Sequence, residues 1–152
     1  MRPLGPVTDQ NLAAGKRVVA LYLLLLAAAT AVHLIITPFY QPDHDPDFTY
    51  WEVYDPFMMA GSLLVLLFAY LWKRRHDAAL PEANNWRAYV EVNGLFYIGG
   101  VQAILLAWSW LMQVFGDPTL TQPVIWLLVD SVGVMLWLAA GRRLWREAAS
   151  AS

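Results

Sequence analysis

Apolar residues run almost unbroken through four stretches of the chain: Val18 to Phe39, Pro56 to Trp72, Tyr89 to Phe115 and Val124 to Gly141. Each holds at least 17 residues, about what a helix needs to cross a hydrocarbon core of about 30 Å at 1.5 Å per residue. The first stretch follows Lys16-Arg17, as a secretory signal would. It is longer than the roughly 7–15 apolar residues of a signal, however, and ends in Thr37-Pro38-Phe39-Tyr40 rather than a small-residue cleavage site, so it reads as an uncleaved anchor. Asp55 followed by Pro56 reads as the N-cap and first-turn proline of the second helix. Gly116-Asp117-Pro118 ends the third stretch, and Arg142-Arg143 close the fourth. All nine prolines fall in loops or at predicted helix ends, so continuous spans are expected. The fold class that follows is all-α: an integral membrane four-helix antiparallel bundle in one domain, 1–152, with an outer loop at 40–55 and an inner loop at 73–87.

Composition supports this. The chain is 59% hydrophobic and 14% charged, against roughly 45–50% and 25% in soluble domains, so it has too little charge to cover its apolar bulk in water. The net charge of −2 hides a strong asymmetry. All ten Lys and Arg lie in the N-terminal segment, the inner loop and the C-terminal segment, where Asp9, Asp77, Glu82 and Glu147 reduce them to +6. The other side carries Asp43, Asp45, Asp47, Glu52, Asp55 and Asp117 and no Lys or Arg. Basic residues are retained on the cytoplasmic side, which predicts both termini inside (N-in, C-in) in a cell inner (plasma) membrane. Tyr40, Tyr50, Trp51 and Tyr54 on one side and Trp72, Trp86, Tyr89 and Trp145 on the other fit the aromatic belts of the two interfaces.

The informative residues are the polar ones inside the spans. Residues 11 apart on a helix return to nearly the same face, which aligns Glu91, Gln102, Ser109 and Gln113 on the third span. On the fourth, Trp126, Asp130, Gly133, Trp137 and Gly141 share a face; on the first, Tyr22, Thr30, His33 and Thr37; on the second, Asp55, Met59, Ser62 and Tyr70. Counting from the nearest inner basic residue at about 1.5 Å per residue puts Ser62, Asp130, Gln102 and His33 in one layer, roughly 17–24 Å up. These four are the candidate relay or ligand pocket, with a Gln102–Asp130 hydrogen bond and His33 as second partner. A central Asp costs roughly 2.5–3.5 kcal/mol to insert, so Asp130 is the residue least explained by simple interhelical hydrogen bonding. Glu91 is expected to pair with Arg87 at a spacing of four.

The outer loop places Asp43, His44, Asp45, Asp47 and Glu52 within 15 residues. It forms a candidate patch for a basic soluble protein on the outer face or for a metal ion, although it lacks the glycine and bidentate Glu of an EF-hand. A chain without cysteine offers no thiolate metal site or Cys nucleophile. One histidine inside a span does not supply a bis-histidine haem, and no phosphate loop, HExxH or GxSxG motif occurs. No catalytic residue or cofactor is assigned, and the balance leans away from an enzyme. Partners are the lipid bilayer and other membrane subunits or a second copy, with Ala27–Ala31 and Gly99–Ala103 permitting close helix approach; nucleic acid is not expected. The leading expectation is a non-catalytic subunit or accessory factor of a larger membrane complex. The alternatives are a small oligomeric transporter or channel relaying through Asp130, and an enzyme or binder of a lipophilic ligand, a quinone or lipid, using His33 and Asp130. Topology reporters fused at either terminus are expected to read as cytoplasmic, and an extracytoplasmic signal from one of them would overturn the charge-derived orientation.

Overall fold

The computed structural model of the chain describes residues 6–40, 50–79, 86–116 and 123–150. They form four helices: α1 (Pro6–Tyr40), α2 (Tyr50–Ala79), α3 (Trp86–Phe115) and α4 (Pro123–Ser150). All four are long and apolar enough to cross a membrane, as in a multi-pass membrane protein. At about 1.5 Å per residue they are roughly 42–52 Å long and overrun a hydrocarbon core of about 30 Å. Only about a third of each apolar window is buried by the other helices. The remainder, including Leu21, Leu25, Ile35, Leu63, Ile104, Leu127 and Met135, faces outward. That is the reverse of a water-soluble bundle and the arrangement lipid requires.

Two local expectations change. The second helix does not start at Asp55 but at Tyr50, so Asp55 is not an N-cap and Pro56 lies inside α2. Pro38 likewise lies inside α1, near its end. Pro56, the seventh residue of α2, has no N–H for the carbonyl four residues back, so one intrahelical hydrogen bond is missing there. The helix nevertheless continues through it, and Asp55 becomes an interior residue.

The buried faces follow a seven-residue period. On α1 the repeat is Ala13, Ala20, Ala27 with Leu23, Thr30; on α2 it is Asp55, Ser62, Ala69 with Met58, Val65, Trp72. On α3 it is Val92, Gly99, Leu106 with Leu95, Gln102, Ser109; on α4, Asp130, Trp137, Leu144 with Gly133, Ala140. Seven residues in two turns is the period of left-handed coiled-coil packing. The 11-residue count used on the sequence drifts off this seam, and Glu91 and Tyr70 accordingly sit on exposed surface.

Helix α1 packs most extensively on α4 and α2 on α3, while α1 and α3 do not meet among the described residues. Helices α2 and α4 therefore face each other across the short diagonal. Lipid supplies no hydrophobic drive for helices to associate, so close approach has to come from small residues. The α1–α4 contact is built that way: a Cβ on Gly141 would lie 3.0 Å from Leu24 Cγ and 3.2 Å from the Ala20 carbonyl oxygen. Ala27 and Gly99, read from sequence as sites of close approach, are both used inside the bundle. Gly141→Ala is expected to lower the thermal stability of the detergent-solubilised protein by about 1–3 kcal/mol through overpacking. Gly94→Ala, which meets nothing within 4 Å, is expected to be neutral or slightly stabilising, and equal melting shifts for the two would contradict the close packing of α1 on α4.

Candidate functional site

One end of the bundle is tied by charge. Lys16 Nζ of α1 donates to Glu147 Oε2 of α4 at 2.8 Å, and Arg143 Nη1 of α4 donates to Glu91 Oε1 of α3 at 3.1 Å. Arg143 also lies 3.6 Å from Glu147 and places its guanidinium 4.4 Å from the centroid of the Trp72 ring on α2. All four helices meet at this junction. It also corrects the Glu91–Arg87 expectation: a helix-local partner four residues away loses to Arg143, which reaches across the helix pair, while Arg87 sits over the Trp86 ring.

Counting inward from the junction gives the level of the candidate residues. His33 is 17 residues from Lys16, Asp55 is 17 from Trp72, and Asp130 is 17 from Glu147; on each helix that is about 25 Å. Ser109 lies 18 residues from Glu91, at nearly the same level. The side chains agree with the count. His33 stacks flat on Tyr54, the neighbour of Asp55, with centroids 4.9 Å apart and planes 3° from parallel. Asp55 is fully buried and Asp130 is 3% exposed.

Two glycines shape the surroundings of Gln102 and Trp137. A Cβ on Gly61 would lie 3.1 Å from Trp137 Nε1, and one on Gly133 would lie 3.1 Å from Gln102 Nε2 and 2.9 Å from the far edge of the Trp137 ring. The glycines thus make room for the indole and the amide. Gln102 thus lies against Gly133, three residues or about one turn from Asp130 on α4, whereas Ser62 is one heptad, about 10 Å, from Asp55 on α2.

The expected Gln102–Asp130 hydrogen bond is not made. Both amide atoms of Gln102, the Thr30 and Ser109 hydroxyls, Trp137 Nε1 and Asp130 Oδ1 are buried without a hydrogen-bond partner. Ser62 donates to the carbonyl of Met58 in its own helix at 2.9 Å, which leaves its oxygen free to accept. Reasoning from sequence placed Asp55 at the outer edge and did not count the Trp137 N–H among polar groups. The signal for Asp55 was its seven-residue spacing to Ser62 and Ala69. Asp43, His44, Asp45 and Asp47 lie outside the described residues, as does the side chain of Glu52. Among the described residues no group of three or more His, Cys, Asp or Glu comes together as metal ligands would.

No protein-family model matches the chain, and neither a curated protein nor a solved structure resembles it. The chemistry of the site therefore rests on its own geometry: acids and amides held in a dry interior, where an unsatisfied polar group costs about 1–3 kcal/mol. Gln102→Leu removes two unsatisfied atoms and keeps the volume, so it is expected to raise thermal stability by about 1 kcal/mol. A fall in melting temperature would mean that the amide is satisfied in the membrane.

Proposed function

We propose that the protein is a multi-pass protein of the inner (plasma) membrane, an antiparallel four-helix bundle with both termini in the cytoplasm, that passes a proton or small ion along a relay centred on Asp130. The orientation draws its support from the one-sided distribution of Lys and Arg, and the antiparallel course from the junction. There, residues early in α1 and α3 meet residues late in α2 and α4.

The observation that carries the relay is the burial of Asp130, with a carboxyl oxygen unpartnered, in the interior of a candidate span. An acid at depth costs several times what a Ser or Thr does, and interhelical hydrogen bonding gains only about 0.6 kcal/mol per pair, so packing alone gives no reason for an acid there. His33 stacks on Tyr54, the neighbour of Asp55, and Gln102 of α3 lies against Gly133, about one turn from Asp130 on α4. Such a relay also suits an accessory subunit of a larger membrane complex, the leading expectation from sequence.

Asp130→Asn keeps the shape and removes the titratable group. In proteoliposomes this variant is expected to retain its helical circular dichroism and to lose proton or ion flux by about 100-fold, the scale of a lost acid–base group. Flux equal to that of the unaltered protein would end the relay reading.

A further inference from the structure

We propose that the groove between α2 and α3 is a binding site for one anionic phospholipid, with an acyl chain lying along the groove and the phosphate held by Lys73 and Arg74 at its basic end. The site is separate from the buried polar residues around Asp130 and does not depend on the relay.

The groove has a volume of about 620 Å³ and is walled by Leu63, Leu67 and Tyr70 of α2 and by Tyr97 and Ile104 of α3, all exposed on the outer surface of the bundle. Gly100 forms part of its floor. A Cβ there would meet only Leu66, at 3.8 Å, so bare backbone leaves a depression that a larger side chain would fill. Lys73 is ten residues from Leu63, about 15 Å along the helix, which is the depth of one leaflet of a hydrocarbon core of about 30 Å. A groove one leaflet deep and open sideways to the bilayer fits a lipid chain better than a transmembrane helix, which needs the full thickness.

The two ends of the groove differ in chemistry. Leu63 and Ile104 give one end hydrocarbon walls. At the other, Phe96 lies 6.3 Å from Tyr70 and 5.2 Å from Tyr97, centroid to centroid, and the Lys73 ammonium sits 5.8 Å from the Tyr97 centroid. Tyrosines favour the headgroup level, where their hydroxyls can donate to ester or phosphate oxygens. Lys73 is fixed in place by Asn93 Oδ1 at 3.1 Å and Asp77 Oδ2 at 3.0 Å. An ammonium has three N–H donors, so one remains for a phosphate oxygen.

Arg74 supplies the second cation. It follows Tyr70 by four residues and Leu67 by seven, which puts it on the groove side of α2, and it is exposed and makes no ion pair among the described residues. Lys73 and Arg74 against Asp77 leave this face at +1. The one acid of α3, Glu91, is engaged by Arg143 of α4. The charge selects a headgroup of net negative charge over a zwitterionic one, whose own cation would meet the same Lys and Arg.

The test is native mass spectrometry of the full chain, delipidated in mild detergent and titrated with phosphatidylglycerol or with phosphatidylcholine of the same acyl chains. One phosphatidylglycerol is expected to bind first, about 10-fold more tightly than phosphatidylcholine. Lys73→Gln and Arg74→Gln are each expected to weaken it about fivefold, the scale of one basic residue at an anionic surface. Arg75→Gln makes the same change in net charge about 100° further round the helix and is expected to leave binding unaltered. Gly100→Leu fills the groove, keeps both cations and is expected to lose the lipid with its helical circular dichroism intact; the charge variants lie on exposed surface and decide the matter should Gly100→Leu fail to fold. Soluble glycerol phosphate, which has no chain for the groove, is expected not to compete. Equal binding of the two lipids, equal losses in Arg74→Gln and Arg75→Gln, full retention by a folded Gly100→Leu, or displacement by glycerol phosphate would each overturn the site. A dimer that Gly100→Leu abolishes, with no lipid mass bound, would overturn it as well and give the groove to a second copy of the chain.

Discussion

Helix register carries the rest of this structure. In lipid the helices gain nothing by hiding apolar surface from one another, so their relative heights are set by close packing of small residues and by a few polar contacts. Gly141 against Ala20 and Leu24 fixes α4 on α1, and Gly61 against Trp137 fixes α2 on α4. A shift of one heptad in either contact would slide Asp130 about 10 Å away from Asp55 and His33. Glycines elsewhere on the helices thus set the heights of the two acids.

The two ends of the bundle handle charge in opposite ways. At the junction, Lys16, Glu91, Arg143 and Glu147 are about a quarter to a half exposed and mutually paired. Pairs of that kind contribute little individually, about 0–1 kcal/mol each, but together they define one arrangement of four helices. At the level of Asp55 and Asp130 the acids are buried, and no Lys or Arg among the described residues reaches them. The first arrangement suits holding a shape. The second suits a group whose protonation changes in use.

Much of this was legible in the residues. Four spans, the burial of Asp130, Gln102 and His33, and the presence of one polar face per helix all follow from periodicity and charge placement. What escaped did so because a local rule competed with a tertiary one. Asp55-Pro56 satisfies the N-cap signature, yet α2 begins five residues earlier and carries the acid into the interior. Glu91 and Arg87 satisfy the four-residue pairing rule, yet Arg143 is better placed by the helix pair. The 11-residue count suits an isolated straight helix, whereas packed helices keep their contacts over seven. Gln102, read from sequence as a neighbour of Asp130, does lie against Gly133 within a turn of that acid, but makes no hydrogen bond to it.

The junction has a mechanical meaning as well. It pins the four helices to one another at one end, and the acids lie at the far end of arms about 25 Å long. A tilt of about 5° between two helices pivoting at Arg143 would alter the separation of Asp55 and Asp130 by roughly 2 Å. A lever of these proportions turns a motion too small to disturb the packing at Gly141 into a shift of an ångström or more between the buried acids.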